Sequence, residues 1–243
     1  MEIIQPYSAH LFIDTTDVLA GVSTCRGGIS SGSYSSLNLG LNTDDDFLAV
    51  SENRRAFFEC ILPSVPVCYL RQTHSAIVVD ADSSHFSNGN EGDALFSFKR
   101  NQLLSITVAD CGNILLYQPG VCCAAIHAGW RGARAGIIRS TVEQLVDNGA
   151  DVRLLRAYIG PMIRAGNYQV GAEFTEYFSA TYLFPDGERF QLDLPRFIAD
   201  ELSAAGVTYI TDCGEDTFAS VGKYYSYRRS SITGRMSAFI ALR

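Results

Sequence analysis

No stretch of this chain comes near the ~18 uninterrupted apolar residues of a membrane span, so none is expected. The opening, MEIIQPYSAHLFIDTTD, has neither a basic n-region nor a long apolar h-region, and it does not read as a secretory signal. There is no excess of positive charge: 19 Lys and Arg stand against 26 Asp and Glu, a net charge of −7. That balance argues against nucleic acid as the main partner, while leaving room for a local basic pocket. The 7 Cys are an odd number without a CxxC pair, which points to reduced thiols in a cytoplasmic protein. With 4 His, the chain is too poor in imidazole for the several coppers of multicopper chemistry.

What is present suits a packed core. Hydrophobic residues make up 47% of the chain and charged residues 19%. With no linker, repeat or low-complexity segment, one catalytic domain over residues 1–243 is expected. The polar stretch DADSSHFSNGNEGD (80–93) reads as a surface loop. Short apolar runs rich in β-formers predict strands at 18–24, 65–70, 76–80, 103–108, 113–118, 121–126, 156–160, 207–210, 223–229 and 236–243. A turn over SSITG is expected to join the last two. Helices are predicted from an Asp44–Asp46 cap to about Leu62, over 137–148, over AEFTEYFSATY, and from Pro195 to Gly206. The fold class is therefore α+β, with mixed β-sheets flanked by helices.

The densest chemistry lies in AAIHAGWRG (124–132). Pro119-Gly120 reads as a tight turn between two apolar strands, an antiparallel hairpin. In such a hairpin the position numbers of facing residues share a constant sum, here 239, and Cys111 and His127 come to 238. Facing side chains have Cβ atoms ~5 Å apart, so a thiol and an imidazole there can share a proton or a metal. Gly129, Gly132 and Gly136 precede a helix and, with Arg131 and Arg134, resemble an anion loop; tight packing and a solvated face explain them equally. Trp130 reads first as a core residue. His74, in LRQTHSA, reads alone as a turn residue; joined to Cys111 and His127 it would complete three zinc ligands with one position open. Asp93 is either a turn cap or the acceptor that orients a ligating His. Asp110 needs partners if it is buried beside Cys111.

These residues together resemble one family. HAGWRG (127–132), DC (110–111), RQTH (71–74), SLNLG (36–40), IGP (159–161), YQVG (168–171) and SYRR…TGRM (226–236) are similar to motifs of the YfiH-type family, formerly labelled laccase-domain or polyphenol oxidase. The resemblance runs from about residue 20 to the C-terminus. It implies a fold distantly similar to the catalytic domain of cytotoxic necrotizing factor. It implies a metal, zinc or else copper, on His74, Cys111 and His127. The implied activity is phosphorolysis of adenosine, inosine, guanosine and methylthioadenosine, with adenosine deamination beside it. Cys111, His127 and Arg131 would be catalytic, and Asn38, Tyr168, Arg26 and Arg228 would touch substrate. The implied partners are purine nucleosides and phosphate, on a monomer or small homo-oligomer. The chain departs from the family where Cys25 replaces an Arg, Ser75 a Gly, Gly112-Asn113 a common Pro, Gln169 a Glu and Ser230 an Asp. Two other readings of the same hairpin remain. A metal-free cysteine hydrolase would use Cys111 and His127 alone, with no role for His74. A non-catalytic module would close its zinc with a fourth protein ligand.

Overall fold

A computed structural model describes residues 7–243, together with the backbone of Glu2–Ile3. Residues 1 and 4–6, part of the opening read above for an export signal, lie outside the described residues. Along the chain run β1 (Glu2–Ile3), β2 (Ala9–Asp14), β3 (Val18–Ser23), α1 (Phe47–Ile61), β4 (Val67–Tyr69), β5 (Val78–Asp80), β6 (Ala94–Ser97), β7 (Gln102–Val108) and β8 (Gly112–Gln118). There follow β9 (Cys122–Ala128), α2 (Trp130–Arg134), α3 (Ile137–Asp147), β10 (Arg156–Ile159), β11 (Gln169–Val170), β12 (Leu183–Asp186), β13 (Arg189–Leu192), α4 (Leu194–Ala204), β14 (Tyr209–Asp212) and β15 (Met236–Leu242).

Two six-stranded sheets carry the core, in the orders β1-β2-β3-β15-β7-β4 and β14-β10-β8-β9-β6-β5; a small sheet, β11-β13-β12, stands apart. The large sheets pack face to face through Leu104, Ile106, Ala238 and Ile240 on one side and Leu115, Cys123 and Ala125 on the other. The outer face of the first sheet is covered by Phe57, Phe58 and Ile61 of α1. The outer face of the second is covered by Ile138, Val142 and Leu145 of α3 and by Ile198 and Leu202 of α4. Four layers result, helix on sheet on sheet on helix. Strands buried on both faces need apolar residues at every position rather than every second one, which is why β9 reads CCAAIHA without alternation.

The helix starts follow from local chemistry. Asp46 accepts from the backbone N–H of Leu48 and Ala49 at the head of α1, and Asp193 accepts from that of Arg196 at the head of α4. Two expectations are corrected. KYYSYRR (223–229) alternates like a strand but forms turns, because its side chains bond elsewhere: Tyr224 to Glu215, Ser226 to Asp110, and Arg229 to three backbone carbonyls. SSITG therefore joins no pair of strands, and β15 pairs with β3 and β7 instead. AEFTEYFSATY forms two short 3-10 turns, Ala172–Glu176 and Ala180–Tyr182, not a helix. Its aromatic and β-branched residues are weak helix formers, and Phe174 and Phe178 are spent on core contacts. Strands β1, β2 and β6, the small sheet and the short helix α2 are additional to the expected set.

Candidate functional site

The β8–β9 hairpin turns through three residues, Pro119, Gly120 and Val121, so Gln118 faces Cys122 and Asn113 faces His127. The register is thus shifted from the one expected for a two-residue turn, and Cys111 lies one step beyond the ladder. It shares the diagonal with His127 rather than facing it. Side chains two apart on one strand share a face, so the diagonal still brings sulfur and imidazole together.

His74 arrives from a different direction. The Gln72 side chain clamps the end of β7, accepting from Thr107 N–H (2.7 Å) and hydroxyl (2.9 Å) and donating to its carbonyl (2.9 Å). This anchors the loop that carries His74, whose φ of 59° is in the left-handed region. Such a conformation persists in a non-glycine residue only when its surroundings hold it. Asp93 does so. One carboxylate oxygen accepts from His74 N–H (3.0 Å) and His127 Nδ1 (2.7 Å). The other accepts from Thr73 N–H (3.2 Å), Ser75 N–H (2.6 Å) and the Ser75 hydroxyl (2.7 Å). Asp93 is both the turn cap and the imidazole orienter. Holding Nδ1, it leaves His127 Nε2 for the site.

The donor atoms of His74, Cys111 and His127 lie within 4.8 Å of one another. His74 Nε2 is 3.9 Å from Cys111 Sγ, near the ligand–ligand spacing of about 3.5 Å around a tetrahedral zinc. One thiolate and two imidazoles form a soft donor set, suited to zinc or copper and poorly to magnesium or calcium. Gly129 makes room for it: a Cβ there would stand 2.9 Å from His74 Cδ2 and 3.2 Å from Cys111 Sγ. The glycine after His127 is required by space, not by its φ of −61°.

The electrostatics favour ligation. Burial pushes the Cys111 thiol up, but the His127 and His74 imidazoles outweigh it and hold the thiol at about 6. Burial pushes His127 down, while the Cys111 sulfur and the Asp93 carboxylate carry it to about 9. Burial also works against ionised Asp93, yet His127 and Ser75 keep its carboxyl well below the usual range. In metal-free protein Cys111 should therefore absorb near 240 nm as a thiolate at pH 7.5. Acid titration through about pH 6 should remove that band, because a depressed thiol is ionised above its pKa and neutral below it. Loss of the band only through the ordinary thiol range, near pH 8.5, would sink this prediction.

The cluster forms the floor of a cleft of about 490 Å³. Arg131, Arg228, Arg235 and Tyr168 all line it. Arg131 lies 4.2 Å over the Trp130 ring, whose plane also stacks on Tyr177 at 5.5 Å. Trp130 is thus a packed residue at the cleft wall, not an open stacking face. Arg228 Nη1 donates to the Gln169 carbonyl, and its guanidinium sits 5.2 Å from the Tyr168 ring. Asp110, with φ 94°, is buried with its partners: it accepts from the Thr217 and Ser226 hydroxyls and from Arg228 N–H. It ties the loop bearing Arg228 to the cluster.

Two expected substrate contacts are placed elsewhere. Asn38 is buried, and its side chain is spent on Thr43, Asp45 and the backbone N–H of Gly40 and Arg235, so it positions Arg235 instead of lining the cleft. Arg26 is exposed, donates to the Gly222 carbonyl and is not part of the cleft wall; it lies past the end of β3, beside buried Cys25. Arg235 is the cleft arginine that sequence reasoning missed. Its signal is TGRM at the head of β15: Met236 pairs with Val108, which delivers Arg235 beside Asp110 and Cys111.

Comparison with known proteins gives the family. Residues 19–243 match the family described as multi-copper polyphenol oxidoreductase laccase. The Escherichia coli protein named purine nucleoside phosphorylase YfiH is 34% identical over 233 residues, covering 93% of this chain and 94% of its own. The chain belongs to the YfiH family. A member from Pseudomonas aeruginosa, also named purine nucleoside phosphorylase, is 37% identical over 236 residues, 93% of each chain. A solved Neisseria meningitidis structure of the family matches with a TM-score of 0.89 at 29% identity, over 98% of this chain and 99% of that one. YlmD of Geobacillus stearothermophilus matches with a TM-score of 0.86, also at 29% identity, over 93% and 92%. The copper in the family description sits poorly with the imidazole count. Among the described residues one His/Cys cluster exists; His10 lies against Glu215 and His85 is exposed in the 80–93 loop.

Proposed function

We propose that this member of the YfiH family is a purine nucleoside phosphorylase whose zinc is held by His74, Cys111 and His127. The observation that carries the reading is three convergent soft donors on the floor of a cleft that three arginines line. Relatives named purine nucleoside phosphorylase, alike over nearly the whole chain, support it. The substrates are adenosine, inosine, guanosine and methylthioadenosine, with adenosine deamination as a second activity.

In phosphorolysis a phosphate oxygen bonds to C1′ as the C1′–N9 bond breaks, and the purine leaves with the electron pair. Arg131, Arg228 and Arg235 bind the phosphate and orient it, since guanidinium forks match its oxygens. Burial pushes the Tyr168 phenol up, so it stays protonated and can donate a hydrogen bond to the departing base. Asp93 holds the tautomer of His127, and Gln72 holds the His74 loop. When bound, the metal supplies a Lewis acid beside the reacting nucleoside.

A second reading has an observation of its own. Asp93, His127 and Cys111 form an acid–imidazole–thiol relay, the arrangement of a cysteine hydrolase. His74 Nε2 at 3.9 Å from the sulfur weighs against it, because a dyad has no use for that group.

The test incubates zinc-loaded protein with adenosine, with and without phosphate. Adenine and ribose 1-phosphate that form only with phosphate establish phosphorolysis, and inosine establishes deamination. Failure of both with all four nucleosides would refute the proposal. Thiol-dependent hydrolysis that survives a chelator would establish the rival.

A further inference from the structure

Beside the cleft lies a second cavity of about 220 Å³. Its walls include Leu41, Tyr69 and Leu70, and it shares Asn42, Gln72 and Thr107 with the cleft. Arg54 of α1 lines it and is itself only 8% exposed. One guanidinium nitrogen, Nη1, donates to the Leu39 carbonyl at 2.8 Å. The guanidinium carbon lies 5.3 Å from the Phe58 ring and 4.6 Å from the Tyr69 ring. Among the described residues no carboxylate pairs with it. Among the described residues Nε and Nη2 have no acceptor, and they are not sealed from solvent, so their open side is the cavity that Arg54 lines.

A buried cation without a counter-ion is costly, and an anion in the cavity would offset that cost. Burial has already pushed the Arg54 guanidinium down to about 10. Three other polar groups on the wall are spent, while the Asn42 amide and the Tyr69 hydroxyl also line it. Arg71 is paired with Glu91, Gln72 with Thr107, and the Ser105 hydroxyl with that of Ser237. The free guanidinium edge suits two coplanar oxygens. Leucine and tyrosine walls call for an apolar body behind those oxygens. A pocket of roughly 150 Å³ is enough to hold a benzene ring.

We propose that this cavity is a binding site for a small organic monocarboxylate, its carboxylate forked by Nε and Nη2 of Arg54 and its apolar body against Leu41, Leu70 and Tyr69. The site is separate from the metal cluster, and Gln72 stands on the wall between them. Binding is read directly, so the outcome does not depend on whether the cleft phosphorolyses nucleosides.

The test is calorimetry on the full chain with benzoate, its neutral analogue benzamide, and orthophosphate. Benzoate is expected to bind one per chain, with benzamide weaker by about tenfold or more. Arg54→Met should weaken benzoate by a similar factor. That variant also releases the Leu39 carbonyl, so Leu41→Trp, which fills the exposed rim with Arg54 intact, supplies a second check and should do the same. Benzamide binding as well as benzoate, benzoate binding unchanged in both variants, or no benzoate binding at millimolar concentration would each overturn the proposal. Orthophosphate binding that both variants abolish, with benzoate inert, would overturn the carboxylate assignment.

Discussion

Cys111→Ala is expected to leave the protein folded and nearly inert. The variant should retain less than about a tenth of the wild-type zinc after dialysis, because two imidazoles without the thiolate lack the soft third donor of the site. Its kcat/KM for adenosine phosphorolysis should fall on the order of 10³-fold, which corresponds to about 4 kcal/mol of transition-state stabilisation. The fold should tolerate the change. Cys111 is only half-buried and lies past the end of β7, before β8 begins, so its side chain supports the site rather than the sheets. Metal content by atomic absorption and phosphate-dependent adenine release check both halves. Full zinc occupancy with wild-type turnover would remove Cys111 from the centre. His74→Ala then separates the two readings: zinc and phosphorolysis should be lost together, whereas a Cys111–His127 hydrolase would keep its rate.

Much of this centre is legible in the sequence. The hairpin arithmetic places Cys111 opposite His127 on the assumption of a two-residue turn at Pro119-Gly120. The turn takes in Val121 as well, which moves every pairing and leaves Cys111 beyond the ladder. The inference of proximity survives because the true register sum is 240, which puts Cys111 and His127 on one face as diagonal neighbours, whereas the 239 register would have put them on opposite faces. His74 cannot be placed by strand arithmetic at all. It depends on Gln72 clamping β7 and Asp93 capping the loop, contacts 35 and 19 residues apart in sequence. Arg235 and Arg54 are harder still. Arg235 reaches the cleft because β15 lies beside β7, and Arg54 reaches its cavity because α1 packs over Tyr69; neither register is written locally. KYYSYRR shows the converse failure. Its alternation is real, but it serves side-chain bonds to Asp110 and Glu215 rather than a ladder. α1, α3, α4 and the central strands are read well because their burial imposes patterns within a dozen residues.

Asp93→Asn is expected to damage stability and metal binding together. Five donors converge on the two oxygens of Asp93: His127 Nδ1, the N–H groups of Thr73, His74 and Ser75, and the Ser75 hydroxyl. An asparagine replaces one of those oxygens with a donor. Turned one way, its NH2 meets His74 N–H and the imidazole; turned the other, it meets Thr73 and Ser75 N–H. Either orientation leaves buried donors facing donors and removes the carboxylate charge beside His127 Nδ1 in this fully buried position. The cost should be about 3 kcal/mol, a fall in Tm of roughly 6–12 °C for a chain of this size. Zinc affinity should drop 10–100-fold, because the His127 tautomer and the His74 backbone are no longer fixed. The sign with pH follows from the depressed carboxyl. Its stabilisation is complete above the ordinary carboxylate value of about 3.9 and is lost as pH falls through the lower native value. The gap in Tm between wild type and variant should therefore hold from pH 5 to 7 and narrow below about pH 4. Calorimetric melts across that range, with zinc titrations at pH 7, measure both effects. A variant that melts with wild type and binds zinc as tightly would show that Asp93 merely fills space.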